Sequence, residues 1–167
     1  WAGGLNAAHY NTMDLNHDGK DDLVLFDRTA DKIITFLQQN NQYQYAPDYE
    51  SYFPDEVTNW LLLRDFNCDG KKDIFTGDIL GIKVYLNETG EGENPSWKQF
   101  LFYSGFEGQK SQVLLTKGFS GKINLQLQFD DLPSIGDADG DGDLDIFNVR
   151  LVGNGTVEYH KNFSMER

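Results

Sequence analysis

The chain has a single cysteine, Cys68, so no internal disulfide can support its fold, and the cysteine count does not identify a redox compartment. Long apolar runs are also missing. Apolar runs such as residues 61–63 are far below the roughly 20 residues that cross a bilayer. The first residues, from Trp1, have neither the basic start nor the apolar centre of a signal peptide, and we interpret the sequence as a processed or trimmed product.

Basic residues are scarce. Lysine and arginine number 14 against 27 aspartates and glutamates, which gives a formal net charge of -13. Nucleic acid and anionic membranes attract basic surfaces, so this balance argues against nucleic acid or an anionic membrane as a partner, and the lack of a long apolar run argues against membrane insertion. Hydrophobic residues make up 39% of the chain and aromatic residues 14%, which indicates a globular protein.

Much of the acidic charge lies in a segment that occurs three times, in residues 13–26, 64–75 and 136–147. The three copies align without gaps as Asp-x-Asn/Asp-x-Asp-Gly-x-x-Asp. Their first aspartates, Asp14, Asp65 and Asp137, are 51 and then 72 positions apart. The second unit therefore contains an insertion of about 20 residues, which we place within residues 91–131.

Segments rich in β-branched and aromatic residues follow each acidic segment, at residues 32–37, 82–87 and 156–162. Residues 7–13 and 59–64 supply incoming strands, and residues 43–53 and 97–103 are candidates for an outer fourth strand. No stretch sustains a helical period. Four-stranded units repeated about every 50 residues are typical of β-propeller blades.

Carboxylates at alternate positions of a short loop can surround one calcium ion, which prefers six to eight oxygen ligands. We predict side-chain ligands at loop positions 1, 3, 5 and 9 and a carbonyl ligand at position 7, with glycine at position 6 allowing the sharp turn. The predicted ligands are Asp14, Asn16, Asp18, Lys20 and Asp22; Asp65, Asn67, Asp69, Lys71 and Asp73; and Asp137, Asp139, Asp141, Asp143 and Asp145. The sequence thus predicts three structural Ca²⁺ sites, with loosely held loops when the metal is absent.

Three other interpretations of these loops were weighed. Solvated acidic turns would explain one copy more readily than three copies in phase with strands. Magnesium is disfavoured because cages with this many protein ligands suit the larger ion. An EF-hand needs a glutamate at position 12 and flanking helices, whereas position 12 is Leu25, Thr76 or Asn148 and the following residues resemble strands.

The acidic segments with their following strands resemble the FG-GAP/VCBS repeat family, the calcium-bearing repeats that also build integrin α-subunit propellers. The resemblance implies an all-β fold of four-stranded antiparallel blades, each with a calcium loop between its first two strands. It implies about three blades of a larger, seven-bladed propeller, with residues 1–167 as a partial propeller and approximate repeats at 5–56, 57–131 and 132–167. Because three blades do not close a ring, we expect the remaining blades in a further part of the chain or in another chain.

The repeat sequences also resemble those of large secreted surface proteins of Bacteroidetes-type bacteria, which are often exported by the type IX secretion system. This resemblance implies a secreted or cell-surface location. It also makes the export machinery a candidate partner.

No catalytic constellation is recognisable: the sequence has no Gly-x-Ser-x-Gly, no zinc-type histidine pair and no phosphate-binding loop. Surface or packing roles are favoured for the isolated residues His9, His17 and His160, and solvated loops for the carboxylate pairs Asp48/Glu50 and Asp55/Glu56. Packing is favoured over sugar stacking for the aromatic residues Trp1, Trp60, Trp97, Tyr43, Tyr45, Tyr49, Tyr52 and Phe53.

Three functional hypotheses follow. The first is a non-catalytic, calcium-stabilised extracellular module that binds a protein or glycan at the cell surface. The second is the propeller part of a polysaccharide-active enzyme or a lectin. The third is a secretion cargo or structural subunit of a surface assembly, and the fold by itself does not choose among them.

Overall fold

The computed structural model describes residues 5–104, 108–128, 131–150 and 155–164. Trp1, one of the candidate aromatic residues, lies outside these ranges. Within them the chain is built from antiparallel β-sheets and one short 3-10 helix, which confirms the predicted all-β class. No helix in the described ranges is long and apolar enough to span a membrane.

Two four-stranded sheets follow one another along the chain, each with its strands in sequence order. The first contains β1 (Ala8–Met13), β2 (Asp22–Asp27), β3 (Lys32–Gln39) and β4 (Gln42–Tyr45). The second contains β5 (Thr58–Arg64), β6 (Asp73–Asp78), β7 (Gly81–Asn87) and β8 (Trp97–Gln99). The 3-10 helix Pro47–Tyr52 lies between the two sheets in the sequence.

The rest of the described chain forms two strand pairs and a third sheet. The pairs are β9 (Phe102–Tyr103) with β10 (Lys110–Ser111), and β11 (Leu115–Gly118) with β12 (Gly121–Asn124). The third sheet contains β13 (Ser134–Gly136), β14 (Asp145–Val149) and β15 (Val157–His160), again in sequence order. Strands β8 to β12 all lie within the segment 91–131 that the sequence marked as holding an insertion.

The second sheet is buried on both faces because its apolar side chains point alternately to opposite sides. In β6, Ile74 lies in a core with the first sheet, whereas Phe75 lies in a core with the third sheet. The first core contains Met13, Leu15, Val24, Phe26, Phe53, Val57, Leu61, Leu63, Ile74 and Tyr85. The second contains Trp60, Phe75, Ile82, Val84, Leu125, Ile135 and Ile146. The three sheets therefore pack face to face, with the second in the middle.

The predicted order of strand, acidic loop, strand and strand is confirmed in all three sheets. The turn predicted at residues 153–155, between β14 and β15, lies partly outside the described residues. The expected outer strand over residues 43–53 is only partly correct. Strand pairing ends at Tyr45, and the 3-10 helix begins at Pro47, whose ring fixes φ and which has no N–H to continue a ladder. The outer strand expected at residues 97–103 also divides, because Trp97–Gln99 pairs with β7 whereas Phe102–Tyr103 pairs with β10.

Candidate functional site

Each predicted metal loop connects the first two strands of a sheet. Loop 1 (residues 14–22) joins β1 to β2, loop 2 (65–73) joins β5 to β6, and loop 3 (137–145) joins β13 to β14. All fifteen predicted ligand residues lie in these loops, and each loop is followed by a strand rather than a helix.

The three loops have the same backbone turn. Positive φ angles occur at loop positions 4 and 6 in every copy, at His17 (61°) and Gly19 (80°), Cys68 (59°) and Gly70 (86°), and Gly140 (83°) and Gly142 (96°). This left-handed region disfavours residues with a Cβ atom. His17 and Cys68 are therefore held there by the rest of the loop.

The same hydrogen bonds close each turn. In loop 1, the N–H of Gly19 donates to Asp14 Oδ2 at 2.8 Å, and the N–H of Lys20 donates to Asp18 Oδ1 at 2.9 Å. The N–H of Asp18 donates to Asn16 Oδ1 at 3.0 Å. The equivalent bonds in the other loops are Gly70 to Asp65, Lys71 to Asp69 and Asp69 to Asn67, and Gly142 to Asp137, Asp143 to Asp141 and Asp141 to Asp139.

The aspartate at position 9 begins the second strand and is fully buried in every copy. In loop 2, Asp73 Oδ2 accepts the N–H of Phe66 at 2.8 Å, and its Oδ1 accepts the N–H of Asn87 on β7 at 2.7 Å. The equivalent pairs are Leu15 and Gln38 on Asp22, and Ala138 and Asn162 on Asp145. This carboxylate thus ties the loop to the end of the sheet's third strand or, in the third sheet, to Asn162 just beyond β15, a role that the sequence did not reveal.

Burial raises the pKa of Asp22 and of Asp73 above the usual aspartate value. Backbone hydrogen bonds oppose the increase, whereas the nearby aspartates at positions 1 and 5 of each loop add to it. The main cause is desolvation of the carboxylate, and the surrounding negative charge adds to it. A divalent cation would offset that negative charge.

Loop 3 has the highest density of carboxylates. Ligand atoms of Asp137, Asp139 and Asp145 all lie within 4.8 Å of one another. Lys161 Nζ lies 2.6 Å from Asp139 Oδ2, and this hydrogen bond lowers the pKa of Asp139. Desolvation and a 3.0 Å hydrogen bond from its hydroxyl to Asp145 Oδ2 raise the pKa of Tyr159 to about 12.

Neighbouring loops touch each other. Lys72 Nζ donates to Thr12 O at 2.8 Å and forms a 3.2 Å ion pair with Asp21 of loop 1. Cys68 Sγ lies 3.8 Å from the carbonyl oxygen of Gly142 in loop 3. The loops therefore lie in a row along one edge of the three packed sheets. Periodicity alone does not predict these contacts.

Family comparison fits this geometry. Residues 14–76 match the model of the FG-GAP-like repeat, a span that runs from the start of loop 1 into β6. This segment belongs to the FG-GAP-like repeat family. No curated protein and no solved structure matches the chain significantly.

The FG-GAP-like segment contains loops 1 and 2 complete, and loop 3 repeats their turn and hydrogen bonds outside the matched residues. Oxygen-rich donor sets of this kind suit Ca²⁺. In loop 3, Asp141 Oδ2 is buried and accepts no hydrogen bond from the described residues. A buried carboxylate oxygen that accepts no hydrogen bond is available to coordinate a metal ion. The loop residues therefore fit the Ca²⁺ that the resemblance to the family implies.

Two cavities lie beside the FG-GAP-like loops. One, of about 370 Å³, lies between β1 and β5 and is lined in part by Tyr10, Asn11 and Arg64. The other, of about 240 Å³, lies between loop 1 and loop 2 near Lys71. The amide of Asn11 bridges the two sheets, because it donates to Leu61 O at 3.0 Å and accepts the N–H of Leu63 at 2.9 Å.

The remaining candidates divide, because Trp60, Trp97 and Phe53 pack in the cores whereas Tyr43 and Tyr45 are 50% and 55% exposed, contrary to the packing interpretation. Trp60 is 1% exposed and belongs to the second core, as the packing interpretation predicted. Trp97 stacks on Phe53, with ring centroids 5.5 Å apart. His17 Nε2 lies 2.8 Å from Glu93 O, and His160 Nδ1 lies 2.8 Å from Thr116 Oγ1.

Proposed function

We propose that each acidic loop holds one Ca²⁺ ion and that the three packed sheets are blades of a calcium-stabilised β-propeller. The module acts outside the cell as a non-catalytic binding or adhesion unit, and its partner is a protein or a glycan at the cell surface. Extracellular calcium, near millimolar, is sufficient to fill sites of modest affinity.

The common geometry of the three loops carries this proposal. A turn that is repeated in backbone angles and hydrogen bonds, with a buried aspartate at its end, indicates one chemical role for all copies. Solvated turns need no fully buried carboxylate, and burying one without a cation is unfavourable. In each loop the side chains at positions 1, 3, 5 and 9 and the carbonyl at position 7 would hold the ion. Bound calcium would neutralise the carboxylates and fix the first two strands to the third.

The propeller is supported by the way the sheets pack. Three consecutive antiparallel meanders stack face to face, and their acidic loops lie along the same edge. Propellers contain about four to eight such blades around an axis. We therefore propose that further blades come from another part of the protein or from another chain.

The decisive experiment is thermal unfolding of the metal-free protein with added Ca²⁺, with Mg²⁺ and with chelator. Ligands that bind only the folded state raise the melting temperature, so calcium should raise it clearly and magnesium much less. The variant Asp73→Asn should reduce the calcium-induced shift, whereas the exposed-site control Asp55→Asn should retain it. An identical melting temperature with calcium and with chelator would refute the structural-ion proposal.

A further inference from the structure

The two strand pairs between the second and third sheets carry an unusual charge. Residues 108–128 contain Lys110, Lys117 and Lys122 and no aspartate or glutamate, in a chain whose net charge is -13. All three lysines are exposed. This basic segment therefore differs in charge from the acidic loop edge.

The strand register brings the lysines together. Lys117 and Lys122 are directly opposite each other in the β11–β12 pair, and Lys110 is opposite Tyr103 in the β9–β10 pair. Lys122 Nζ donates to Tyr103 O at 3.2 Å, which connects the two pairs. We call the surface formed by Tyr103, Lys110, Lys117 and Lys122 the lysine face.

Two like charges directly opposite each other destabilise a strand pair. The side chain of Lys117 makes no hydrogen bond or ion pair with the described residues that would offset this repulsion. An anionic group bound between Lys117 and Lys122 would remove the penalty. The cross-strand lysine pair is thus arranged for an anion from outside the described chain.

An aromatic ring completes the lysine face. Tyr103 is 68% exposed, and Lys110 Nζ lies 5.4 Å from its ring centroid. An exposed ring with a free face can stack on the C–H surface of a sugar, while ammonium groups nearby pair with carboxylate or sulfate. Phe119, fully exposed in the turn between β11 and β12, adds apolar contact area.

We propose that the lysine face binds an anionic polysaccharide, with a sugar ring on Tyr103 and acidic substituents on the lysines. This inference rests on the proposed function in one respect, that the module binds partners outside the cell. Three cations suit a glycan whose charges are separated by neutral ring surface. A nucleic acid or an anionic lipid bilayer has a denser charge, which the acidic remainder of the chain would repel more strongly.

Binding should be measured by calorimetry on the calcium-loaded protein in 0.15 M salt, with hyaluronan and chondroitin sulfate oligosaccharides as probes and neutral dextran oligosaccharides as control. We expect the anionic probes to bind and neutral dextran not to bind. Lys117→Gln with Lys122→Gln should weaken binding by about three-fold to ten-fold, as expected for two exposed ion pairs. Tyr103→Ala should weaken it by about five-fold or more through the lost stacking.

The matched control variant is Lys32→Gln with Lys98→Gln. It removes one exposed lysine from the first sheet and one from the second, which pair with Glu50 and Glu88 respectively. It should bind within about two-fold of wild type, because neither lysine belongs to the lysine face, and it should stay folded because surface ion pairs of this kind contribute little to stability. All variants should keep the calcium-dependent melting shift of wild type, which shows that they are folded.

Several results would overturn the inference: no binding of either anionic probe, equal binding by the lysine-face and control variants, or tighter lysine-dependent binding of single-stranded DNA or of phosphatidylglycerol vesicles. A calcium-dependent melting shift without glycan binding would refute the lysine face alone. Glycan binding without a calcium shift would refute the calcium sites alone.

Discussion

At the scale of single residues, the buried aspartate at position 9 would link the proposed calcium site to the fold. In the first loop Asp22 accepts N–H donors from Leu15 and from Gln38, at opposite ends of its carboxylate. A carboxylate can accept about four hydrogen bonds or metal contacts, so both donors and a cation can be accommodated together. Loop closure and strand pairing therefore depend on the same side chain.

The raised pKa values of Asp22 and Asp73 predict opposite pH responses with and without metal. In the metal-free protein the folded pKa exceeds the unfolded value near 3.8, so these groups stabilise the fold at low pH and this contribution is lost as pH rises through the folded pKa. Calcium binds the ionised carboxylates, so the stabilisation by calcium should instead increase as pH rises through the same range.

The measurement is the free energy of unfolding from about pH 3 to pH 7 for the wild type and for Asp22→Asn with Asp73→Asn, in metal-free and calcium-containing buffer. Subtracting the double variant removes the contributions of all other carboxylates. The free energy of unfolding of the wild type minus that of the double variant should fall as pH rises in metal-free buffer, and it should increase with pH in calcium-containing buffer. The same slope in both buffers would contradict the proposal that Asp22 and Asp73 are calcium ligands.

Position 4 of each loop gives a second test at the residue scale. Cys68 has a φ angle of 59°, and Gly140 occupies the same position in loop 3. Cys68→Val should destabilise the protein by about 1–3 kcal/mol, because a β-branched side chain is strained in this region. Cys68→Gly should stay within about 1 kcal/mol of wild type, since relief of strain and the greater freedom of the unfolded chain nearly cancel. Equal stability of both variants in chemical denaturation would refute the shared turn.

At the scale of elements, the start of β7 is fixed by contact with the inserted segment. Gly81 has a φ angle of 145°, and a Cβ atom at this position would lie 2.6 Å from the carbonyl oxygen of Leu125. The N–H of Leu114 donates to Ile82 O at 2.8 Å, so Leu114 and Leu125, which flank the open end of the β11–β12 pair, both lie against the start of β7. The insertion is thereby part of the second core and not merely a surface appendage.

Gly81→Ala should destabilise the protein by about 2–3 kcal/mol, from the φ penalty together with the steric overlap. Gly92→Ala is the matched control, because Gly92 also has a positive φ angle (70°) but no atom within 4 Å of its would-be Cβ. That variant should lose only about 1 kcal/mol. Equal losses in denaturant titrations would show that the contact with Leu125 is unimportant.

Most elements could be predicted from the sequence because the loops mark where strands begin and end. Asp22, Asp73 and Asp145 each begin a strand, and consecutive apolar residues continue it. The outer strands were harder to predict. Pairing of β4 with β3 stops at Tyr45 although β3 extends back to Lys32, because the 3-10 helix begins at Pro47. The contacts of β9 to β12 involve residues distant in sequence and carry no periodic signal.

At the scale of the whole molecule, the middle sheet is stabilised from both sides. Leu61 faces the first core while Trp60, its neighbour, faces the second. The sequence shows that both residues are apolar, but alternation alone does not indicate which sheet covers which face. The Lys72–Asp21 ion pair and the Asn11 bridge likewise appear only once two sheets are placed side by side.

The row of acidic loops also shapes the charge of the molecule. Three bound calcium ions would offset part of the net charge of -13 where carboxylates are most crowded, and the lysine face lies on a different segment. A structural role for the ions would explain why acidic residues are concentrated in the three loops.

The central claim is tested most directly by counting the calcium ions bound per chain, with equilibrium dialysis against radioactive calcium at millimolar concentration. The account predicts three ions per chain for the wild type and two for Asp73→Asn, since the three loops share one geometry. Wild-type protein that binds no calcium while remaining folded would contradict the account.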